Sequence, residues 1–454
     1  MSKFESPFGT RYGSNDMGRI FSPQYKYGTW RRLWVALAKG EQRLGLDISD
    51  EQIWEMESNI SNIPFDLVQE IEREVHHDVM AHLRAYAYQC PKAAPIIHLG
   101  ATSAYVADNT DAKTMKDATK VIIRRLNSLM TIMARLASKY ANTPTLAYTH
   151  FQPAQPTTFG KRVCMWMQDL EDDQRRLENE LADGIRILGC KGATGTCASF
   201  MELFDGDYEK VCKLDDFISK YIGIESVGIS GQTYSRKRDY YLLSTLSGVA
   251  QSLAKMANDL RLMSGREEFY EPFGDKQVGS SAMAYKQNPL QCEKVVSLSR
   301  LVINNTTAMA DTASSQWLER SLDDSAIRRV IIPETFMALD EMLITMKKVL
   351  IGCVVREDIM IMNLCKELPK LVSEGVLMLA VKKGGDRQKL HEVIRQYIVL
   401  TPADFFEAVV HDERFGVSWE EVEKLEDLSK LVGAAHIQTV RYLSEYKARR
   451  GGKR

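Results

Sequence analysis

Three short segments rich in polar side chains interrupt long helical sequence, and they contain the residues whose types and spacing could do chemistry. They are His98-Leu-Gly-Ala-Thr-Ser103, Thr149-His-Phe-Gln-Pro-Ala-Gln155 and Gly279-Ser-Ser-Ala-Met-Ala-Tyr-Lys-Gln-Asn-Pro289. In the third segment the Ser280 hydroxyl could act as a base, and the Lys286 ammonium could stabilise an anion. Gly279 would give this loop the mobility to close over a ligand. Taken alone, the loop could equally be a flexible turn that caps a helix starting at Pro289.

Metal chemistry is not favoured by the histidine spacing. A zinc site on one helix wants two histidines four positions apart with an acid between them. His77 and His82 are five positions apart. The spacing of the histidines therefore does not favour a metal site.

The segments with chemistry must be held by helices. The stretches 101–143 and 290–332 contain neither proline nor glycine, which favours long helices. Apolar residues recur at three- and four-residue steps, the helical period. One such stripe is Met115, Ala118, Val121, Ile122, Leu126, Leu129, Met130, Met133, Leu136, Ala137 and Tyr140; a second is Leu242, Leu243, Leu246, Val249, Ala250, Leu253, Met256, Ala257 and Leu260.

Helices of this length can bury their apolar stripes only against one another, which predicts an all-α fold built on a bundle of long helices. We expect three helical domains: an N-terminal domain at 1–102, a central long-helix bundle at 103–355, and a C-terminal domain at 356–454. In the N-terminal domain, Trp30, Leu33, Trp34, Leu37 and Glu41 have helical spacing. No segment alternates with period two between hairpin turns, so a sheet-based fold is disfavoured.

Composition and charge exclude several classes of function. The 454 residues carry 59 Lys and Arg against 60 Asp and Glu, so no overall field attracts nucleic acid or a membrane surface. The eight cysteines form no CxxC pair, which predicts free thiols in a reducing compartment. The N-terminus lacks the apolar stretch of a signal peptide, and no apolar run approaches the length of a bilayer span. We expect a cytoplasmic protein.

The polar segments together carry a family resemblance. The loop 279–289 resembles the signature loop of the fumarase/aspartase superfamily, whose members eliminate fumarate from a succinyl group. Five further motifs are similar to those of the adenylosuccinate lyase family in its animal-type form. They are His76-His-Asp-Val-Met-Ala-His82, His98-Leu-Gly-Ala-Thr-Ser103, Thr149-His-Phe-Gln-Pro-Ala-Gln155, Gly231-Gln-Thr-Tyr-Ser-Arg-Lys237 and Glu319-Arg-Ser-Leu-Asp-Asp-Ser325. The resemblance extends from Arg11-Tyr12 to Arg329.

The resemblance implies two β-eliminations of purine synthesis. They need neither a hydride carrier nor a metal, so no cofactor is expected. One cleaves adenylosuccinate to AMP and fumarate, and the other cleaves the succinylated aminoimidazole carboxamide ribotide (SAICAR) to the carboxamide (AICAR) and fumarate. Ser280 would be the base, with Ser281 as the neighbouring alternative. His150 would be the acid, because an imidazole exchanges protons near neutrality, and Thr149 and Gln152 could orient it.

The resemblance also implies the residues that bind the purine nucleotide. Those expected at the phosphate and ribose are Arg11, Tyr12, Arg320, Ser325 and Arg329. Those expected at the succinyl carboxylates are Thr102, Ser103, Gln232, Lys286 and Asn288. His76, His77, Asp78 and Lys294 complete the expected substrate site, with Asp78 holding the tautomer of His77. In the superfamily three subunits build one site, so we expect a homotetramer with shared active sites.

Three positions depart from the family pattern. Ala284 stands where proline is usual, and His76 and Lys294 stand where arginine is common. Lysine cannot make the bidentate carboxylate contact of arginine, so these departures bear on the relative affinity for the two substrates. Two other interpretations stay open: another fumarate-releasing lyase such as the argininosuccinate lyase type, or a helical assembly protein without activity.

Overall fold

The computed structural model describes residues 4–274, 276–280, 282–283 and 285–451. These residues form twenty α-helices, one π-helical turn at Glu180–Gly184 and two small sheets, which confirms the predicted all-α fold class. The helices are α1 (Pro7–Thr10), α2 (Asn15–Ile20), α3 (Pro23–Arg43), α4 (Asp50–Ser58), α5 (Phe65–Val75), α6 (Asp78–Gln89), α7 (Ser103–Lys139), α8 (Phe159–Asn179), α9 (Ala198–Leu203), α10 (Tyr208–Ile222), α11 (Lys237–Gly265), α12 (Leu290–Ser314), α13 (Asp324–Gly352), α14 (Glu357–Lys366), α15 (Leu368–Lys382), α16 (Arg387–Tyr397), α17 (Pro402–His411), α18 (Trp419–Leu425), α19 (Leu428–Leu431) and α20 (Ala435–Gly451).

The apolar stripes read from the sequence face the core. Every residue of the second stripe, on α11, is buried, and so is every residue of the first stripe except the half-buried Leu136. In α3 the indole of Trp34 stacks on Tyr86 with ring centroids 5.8 Å apart. The helical period was therefore sufficient to predict which faces of these helices are inside.

The stretch 290–332 is not one helix, although it lacks proline and glycine. Helix α12 ends at Ser314, and α13 begins at Asp324. Leu318 between them has a left-handed backbone with φ of 45°. The Gln316 amide donates to the carboxylate of Asp323 at 2.9 Å, which stabilises the turn locally. Side-chain hydrogen bonds of this kind compete with helical ones and end a helix without glycine or proline.

The two sheets each pair two short antiparallel strands. Strands β1 (Pro144–Thr149) and β2 (Gln152–Thr158) form a hairpin, and β3 (Phe269–Tyr270) pairs with β4 (Val354–Val355). The hairpin was not expected, because its prolines and glutamines hide the alternation typical of strands. It is nevertheless the element that carries His150.

The chain divides into two compact units. Unit 1 comprises 4–126, Asp172–Leu253 and Ser297–Ile344, and unit 2 comprises Asn127–Glu171, the described part of Ala254–Val296 and 345–451. The predicted domain boundaries at 102/103 and 355/356 stay a prediction. Among the described residues, no helix is long and apolar enough to cross a membrane.

Glu41 on α3 is a carboxylate inside unit 1. It has no exposed surface, and neither of its carboxylate oxygens has a hydrogen-bond partner among the described residues. Burial raises the pKa of Glu41 to about 9. The folded protein therefore keeps this carboxyl protonated at neutral pH, whereas the unfolded chain ionises it.

The Glu41→Gln substitution should stabilise the fold in a pH-dependent way. Below pH 4 both folded and unfolded carboxyls are protonated, so the variant and the native protein should unfold at similar denaturant concentrations. As pH rises toward 9, only the unfolded native chain loses the proton, and the native protein loses stability relative to the variant. The difference in unfolding free energy should reach up to about 4 kcal/mol at pH 7.5.

Urea unfolding curves at several pH values measure this difference. Glu70→Gln, on the exposed face of α5, is the matched control and should change stability by less than about 0.5 kcal/mol. A difference for Glu41→Gln that is independent of pH would contradict the account.

Candidate functional site

The segment 76–78 meets helix α13 in unit 1. The Asp78 carboxylate accepts from Arg329 at 3.0 Å and from the backbone N–H of Val79 at 2.7 Å. His76 ends α5 with a left-handed backbone and is exposed. The structure thus brings together two of the predicted site segments, which are separated by 251 positions in the sequence.

His77 is held differently from the expectation. Its ring Nδ1 accepts from the backbone N–H of Met80 at 3.3 Å and caps α6. The distance from this nitrogen to the Asp78 carboxylate is 3.8 Å, too long for a hydrogen bond. The helix cap, rather than Asp78, therefore assigns the hydrogen of the neutral ring to Nε2.

Thr102 and Ser103 lie at the N-terminus of α7, a helix of 37 residues. Unpaired backbone N–H groups at such an end attract anions, which suits the expected carboxylate contacts. Just before them, His98 has a left-handed backbone with φ of 70° and accepts from the Trp34 indole at 2.8 Å. Burial, aided by the nearby His77, lowers the pKa of His98 to about 4. His98 is therefore a neutral hydrogen-bonding group.

The loop around Gln232 lies against the loop between α12 and α13. The Gln232 backbone N–H donates to the carbonyl of Glu319 at 2.9 Å, and its side-chain amide donates to the carbonyl of Ala193 at 3.1 Å. A Cβ on Gly231 would lie 2.5 Å from the Glu319 carbonyl oxygen, so only glycine permits this approach. The loop holds Gln232 beside Arg320.

A buried ion network holds these two loops in place. Arg236 makes a bidentate contact with Asp108 at 2.9 and 3.0 Å and donates to Asp324 at 2.6 Å. Asp324 has no exposed surface and also accepts from Arg320 at 2.9 Å. One carboxylate therefore positions both a buried arginine and an arginine of the predicted site.

The network continues through Arg328. Its guanidinium donates to Asp239 at 2.7 Å and to the Tyr234 hydroxyl at 2.7 Å, and it pairs with Asp111 at 2.9 Å. The Tyr234 hydroxyl in turn donates to Asp239 at 2.8 Å. Because Arg328 is fixed in the first turns of α13, its neighbour Arg329 is held outward, 61% exposed.

Ser325 and Arg329 stand one turn apart on α13. Ser325 lies in the first turn of this helix, where backbone N–H groups favour an anion. Arg11 and Tyr12 follow α1, with the guanidinium of Arg11 5.9 Å from the Tyr12 ring. Arg11 is exposed and Tyr12 is half-buried. These four residues can all meet an anionic ligand.

In unit 2, His150 stands at the tip of the β1–β2 hairpin. His150 and Phe151 have left-handed backbones with φ of 52° and 59°, the conformation of a two-residue type I′ turn. Thr149 and Gln152 pair across the hairpin on either side of this turn. Side chains larger than asparagine are strained here, and such strain is typical of functional sites. His150 is exposed and can meet a substrate.

Half-buried side chains pack against the hairpin and hold it in place. Arg162 donates to the carbonyl of Leu146 in β1 at 2.9 Å. The Arg266 guanidinium lies 4.8 Å from the ring of Tyr148, two positions before His150. Burial raises the pKa of Tyr148 to about 12. This packing holds the strained turn in position.

The loop that contains Ser280 presents its hydroxyl to backbone donors. The Ser280 oxygen accepts from the N–H groups of Met283 at 3.1 Å and Ala282 at 3.3 Å. The Asn288 amide donates to the carbonyl of Gly279 at 3.1 Å. A Cβ on Gly279 would collide with the Lys286 carbonyl oxygen, so glycine is required where the loop closes on itself.

The remaining expected residues of unit 2 are accessible or lie outside the described residues. Lys286 is exposed, and Lys294 lies half-buried in α12. Ser281 and Ala284 lie outside the described residues. In the described parts of the chain, no three His, Cys, Asp or Glu side chains are grouped to hold a metal ion.

The buried ion network behind Arg320 was not predicted from the sequence. Arg236 and Asp324 were quoted within motifs, yet they pair with each other in the interior. Asp108 and Arg328 carried no local signal apart from being charges on otherwise apolar helix faces. A charged residue on an apolar helix face is buried only when it has a partner of opposite charge, so such residues could have indicated a buried ion pair.

The fold is similar to solved helical enzymes. A fumarate lyase from Mesorhizobium sp. BNC1 superposes with a TM-score of 0.84 at 23% identity, covering 98% of this chain and 100% of that one. The 3-carboxy-cis,cis-muconate lactonizing enzyme from Pseudomonas putida has a TM-score of 0.85 at 21% identity, covering 97% and 99%. These likenesses show the fold alone.

The sequence also matches two protein families. Residues 30–303 match the family described as Lyase, and residues 369–442 match the one described as Adenylosuccinate lyase C-terminus. Fold and match together define a lyase of the all-helical type. The protein named adenylosuccinate lyase in Schistosoma mansoni is 45% identical over 87% of this chain and 83% of its own length. The one in Saccharomyces cerevisiae is 41% identical over 97% and 94%. The chain belongs to the adenylosuccinate lyase family.

Arg236→Met should destabilise unit 1 strongly. The substitution leaves the buried carboxylates of Asp108 and Asp324 without their main partner, and breaking a buried pair in this way costs about 3–5 kcal/mol. Arg236→Lys keeps the charge but loses the bidentate contact, so an intermediate loss is expected.

Chemical denaturation of these variants measures the loss. Arg356→Met, which removes the exposed pair with Asp358, is the control and should cost less than about 1 kcal/mol. Equal losses for Arg236→Met and Arg356→Met would show that the buried network contributes little.

Proposed function

We propose that the chain eliminates fumarate from adenylosuccinate to give AMP, and from SAICAR to give AICAR. The observation that carries this proposal is the Ser280 hydroxyl, whose oxygen accepts two backbone N–H groups inside a loop similar to the family signature. Two N–H donors on one hydroxyl oxygen favour its ionised form, which a serine base requires. The printed names of the relatives agree with this reaction.

The elimination breaks one C–N bond and moves two protons. Ser280, as an alkoxide, takes the proton from the carbon next to a succinyl carboxylate. The electron pair left on that carbon is delocalised into the carboxylate, which Lys286 and the N-terminus of α7 stabilise. The electron pair then forms the C=C bond of fumarate as the C–N bond breaks, and His150 donates a proton to the departing nitrogen. Ser280 ends protonated and His150 deprotonated, and proton exchange with solvent restores both.

Anion binding is assigned to the arginines and the helix ends. Arg320, Ser325 and Arg329, with Arg11 and Tyr12, would bind the phosphate and ribose. Thr102, Ser103, Gln232 and Asn288 would bind around the succinyl carboxylates, although the Asn288 amide is at present bonded within its own loop. His76, His77, Asp78 and Lys294 would line the rest of the site.

We further propose a cytoplasmic homotetramer with shared active sites and the domain division 1–102, 103–355 and 356–454. The expected site residues are spread along most of the chain: Arg11 and Arg329 are 318 positions apart (329 − 11). A site assembled from several subunits accommodates this spread. Binding of nucleic acid, membrane or a cofactor is not part of the proposal.

An assay of the purified chain with adenylosuccinate tests the reaction. We expect AMP and fumarate to be released one to one, and SAICAR to give AICAR and fumarate in the same way. A folded protein that releases no fumarate from either substrate would refute the proposal and favour an assembly role or another amine substrate.

Ser280→Ala should keep the fold and substrate binding but lose turnover. Because a general base contributes about a hundredfold to ten-thousandfold in rate, kcat should fall by that factor. Ser281→Ala, which removes the neighbouring hydroxyl, is the matched control and should retain most of the kcat. Near-normal turnover of Ser280→Ala would remove it from the base role.

Mixing two inactive variants should restore activity if sites are shared. His150→Ala and Ser280→Ala would each lack one group, and hybrid tetramers would contain some complete sites. The activity of the mixture after subunit exchange measures this restoration, and each variant exchanged with itself is the control. No restoration after demonstrated exchange would contradict the shared-site proposal.

A further inference from the structure

A lysine near the segment 76–78 is not used by the mechanism. Lys26 lies in the first turns of α3, where the helix dipole disfavours a cation. Its ammonium lies 5.2 Å from the ring of Tyr27 and 5.3 Å from that of Trp30. Tyr27 is itself stacked on the buried His82, with ring centroids 3.7 Å apart. The Lys26 ammonium therefore lies beside the rings of Tyr27 and Trp30, and the Tyr27 ring is fixed by its stacking on His82.

Four charged residues lie within electrostatic range of the Lys26 ammonium. They are Asp111, Arg329, Asp78 and Glu72. Asp111 pairs with Arg328 at 2.9 Å, and Asp78 pairs with Arg329 at 3.0 Å. Among the residues that the structure describes, no carboxylate lies within 4.0 Å of the Lys26 ammonium. Burial lowers the pKa of Lys26 despite these carboxylates.

This arrangement leaves Lys26 under-compensated. A half-buried cation gains little from surrounding water. Two of its three acidic neighbours, Asp111 and Asp78, are shared with arginines, and the third, Glu72, is exposed to solvent. An incoming phosphate would give the Lys26 ammonium a direct anionic partner, and contact with a cation in a partly dehydrated place makes a strong charge-assisted hydrogen bond. Arg329, whose charge acts on Lys26, is 61% exposed and is therefore open to the same anion.

We propose that Lys26 is a further phosphate-binding residue, which contacts the phosphate monoester of the nucleotide together with Arg329. The inference rests on the proposed function, since that function supplies the nucleotide. Lys26 acts through its charge, so lysine or arginine should be required at this position, and the effect of its loss should depend on the phosphate group of the ligand.

Calorimetric titration with AMP and with adenosine tests this dependence. Lys26→Met should weaken AMP binding by about tenfold to a hundredfold, as expected for the loss of a charged hydrogen bond, and leave adenosine binding unchanged. Lys26→Arg should retain part of the AMP affinity. Lys39→Met is the control, because Lys39 is a half-buried lysine of the same helix that pairs with Glu57.

Two results would overturn the assignment. An equal loss of AMP and adenosine affinity would make Lys26 a positioning residue for the protein rather than a phosphate ligand, and an unchanged AMP affinity would remove it from the site. The test is separate from the proposed reaction. If the native protein binds AMP in the expected way but releases no fumarate, the reaction fails while the assignment of Lys26 stands.

Discussion

The candidate site of unit 1 depends on the hydrogen bonds that the Asp324 carboxylate accepts from two arginines. This carboxylate is fully buried and accepts from both Arg236 and Arg320, so it joins an interior cation to one at the predicted ligand surface. Arg236 anchors the same carboxylate to Asp108, a residue of α7. Buried charges cost folding free energy unless each has a partner. Here Tyr234 joins the network through its backbone N–H, which donates to Asp108, and its hydroxyl accepts from Arg328, which also pairs with Asp239. Arg320, an arginine of the predicted site, is therefore held by a buried partner.

The same principle operates in unit 2 with different means. The strained backbone of His150 and Phe151 is kept in its conformation by the strands on either side and by Arg162, which donates to the first strand. The Ser280 loop is closed by backbone contacts and by Asn288. In each case a reactive side chain is accessible while its backbone is constrained. Such preorganisation reduces the reorganisation that a proton transfer requires.

The long helices and their buried faces could be predicted from the sequence, because helical periodicity is a local property. The stripe on α11 was correct at every position. The break between α12 and α13 was not predicted, since it arises from polar side-chain bonds and a left-handed Leu318 rather than from glycine or proline. The hairpin at His150 was missed for a similar reason, because its strand pairing is masked by proline and glutamine.

The sequence indicated which segments contain candidate site residues, but not which side chains contact one another. The motifs located His77, Asp78, Arg320 and Arg329, yet the pair between Asp78 and Arg329 joins positions that no local pattern relates. The expected role of Asp78 toward His77 was replaced by the helix cap, a contact that depends on the backbone geometry at Met80. Buried partners such as Asp108 emerge only when the helices are packed.

The most direct test is to measure how far AMP shifts the unfolding midpoint of the native protein and of Asp324→Asn. It tests the central claim that the Asp324 carboxylate positions Arg320. A ligand that binds only the folded state raises the midpoint by an amount that grows with the logarithm of its affinity. If Asp324 holds Arg320 in place for the proposed phosphate binding, AMP should raise the midpoint of the native protein and have little effect on the folded variant. An equal AMP-dependent rise in both proteins would contradict the account.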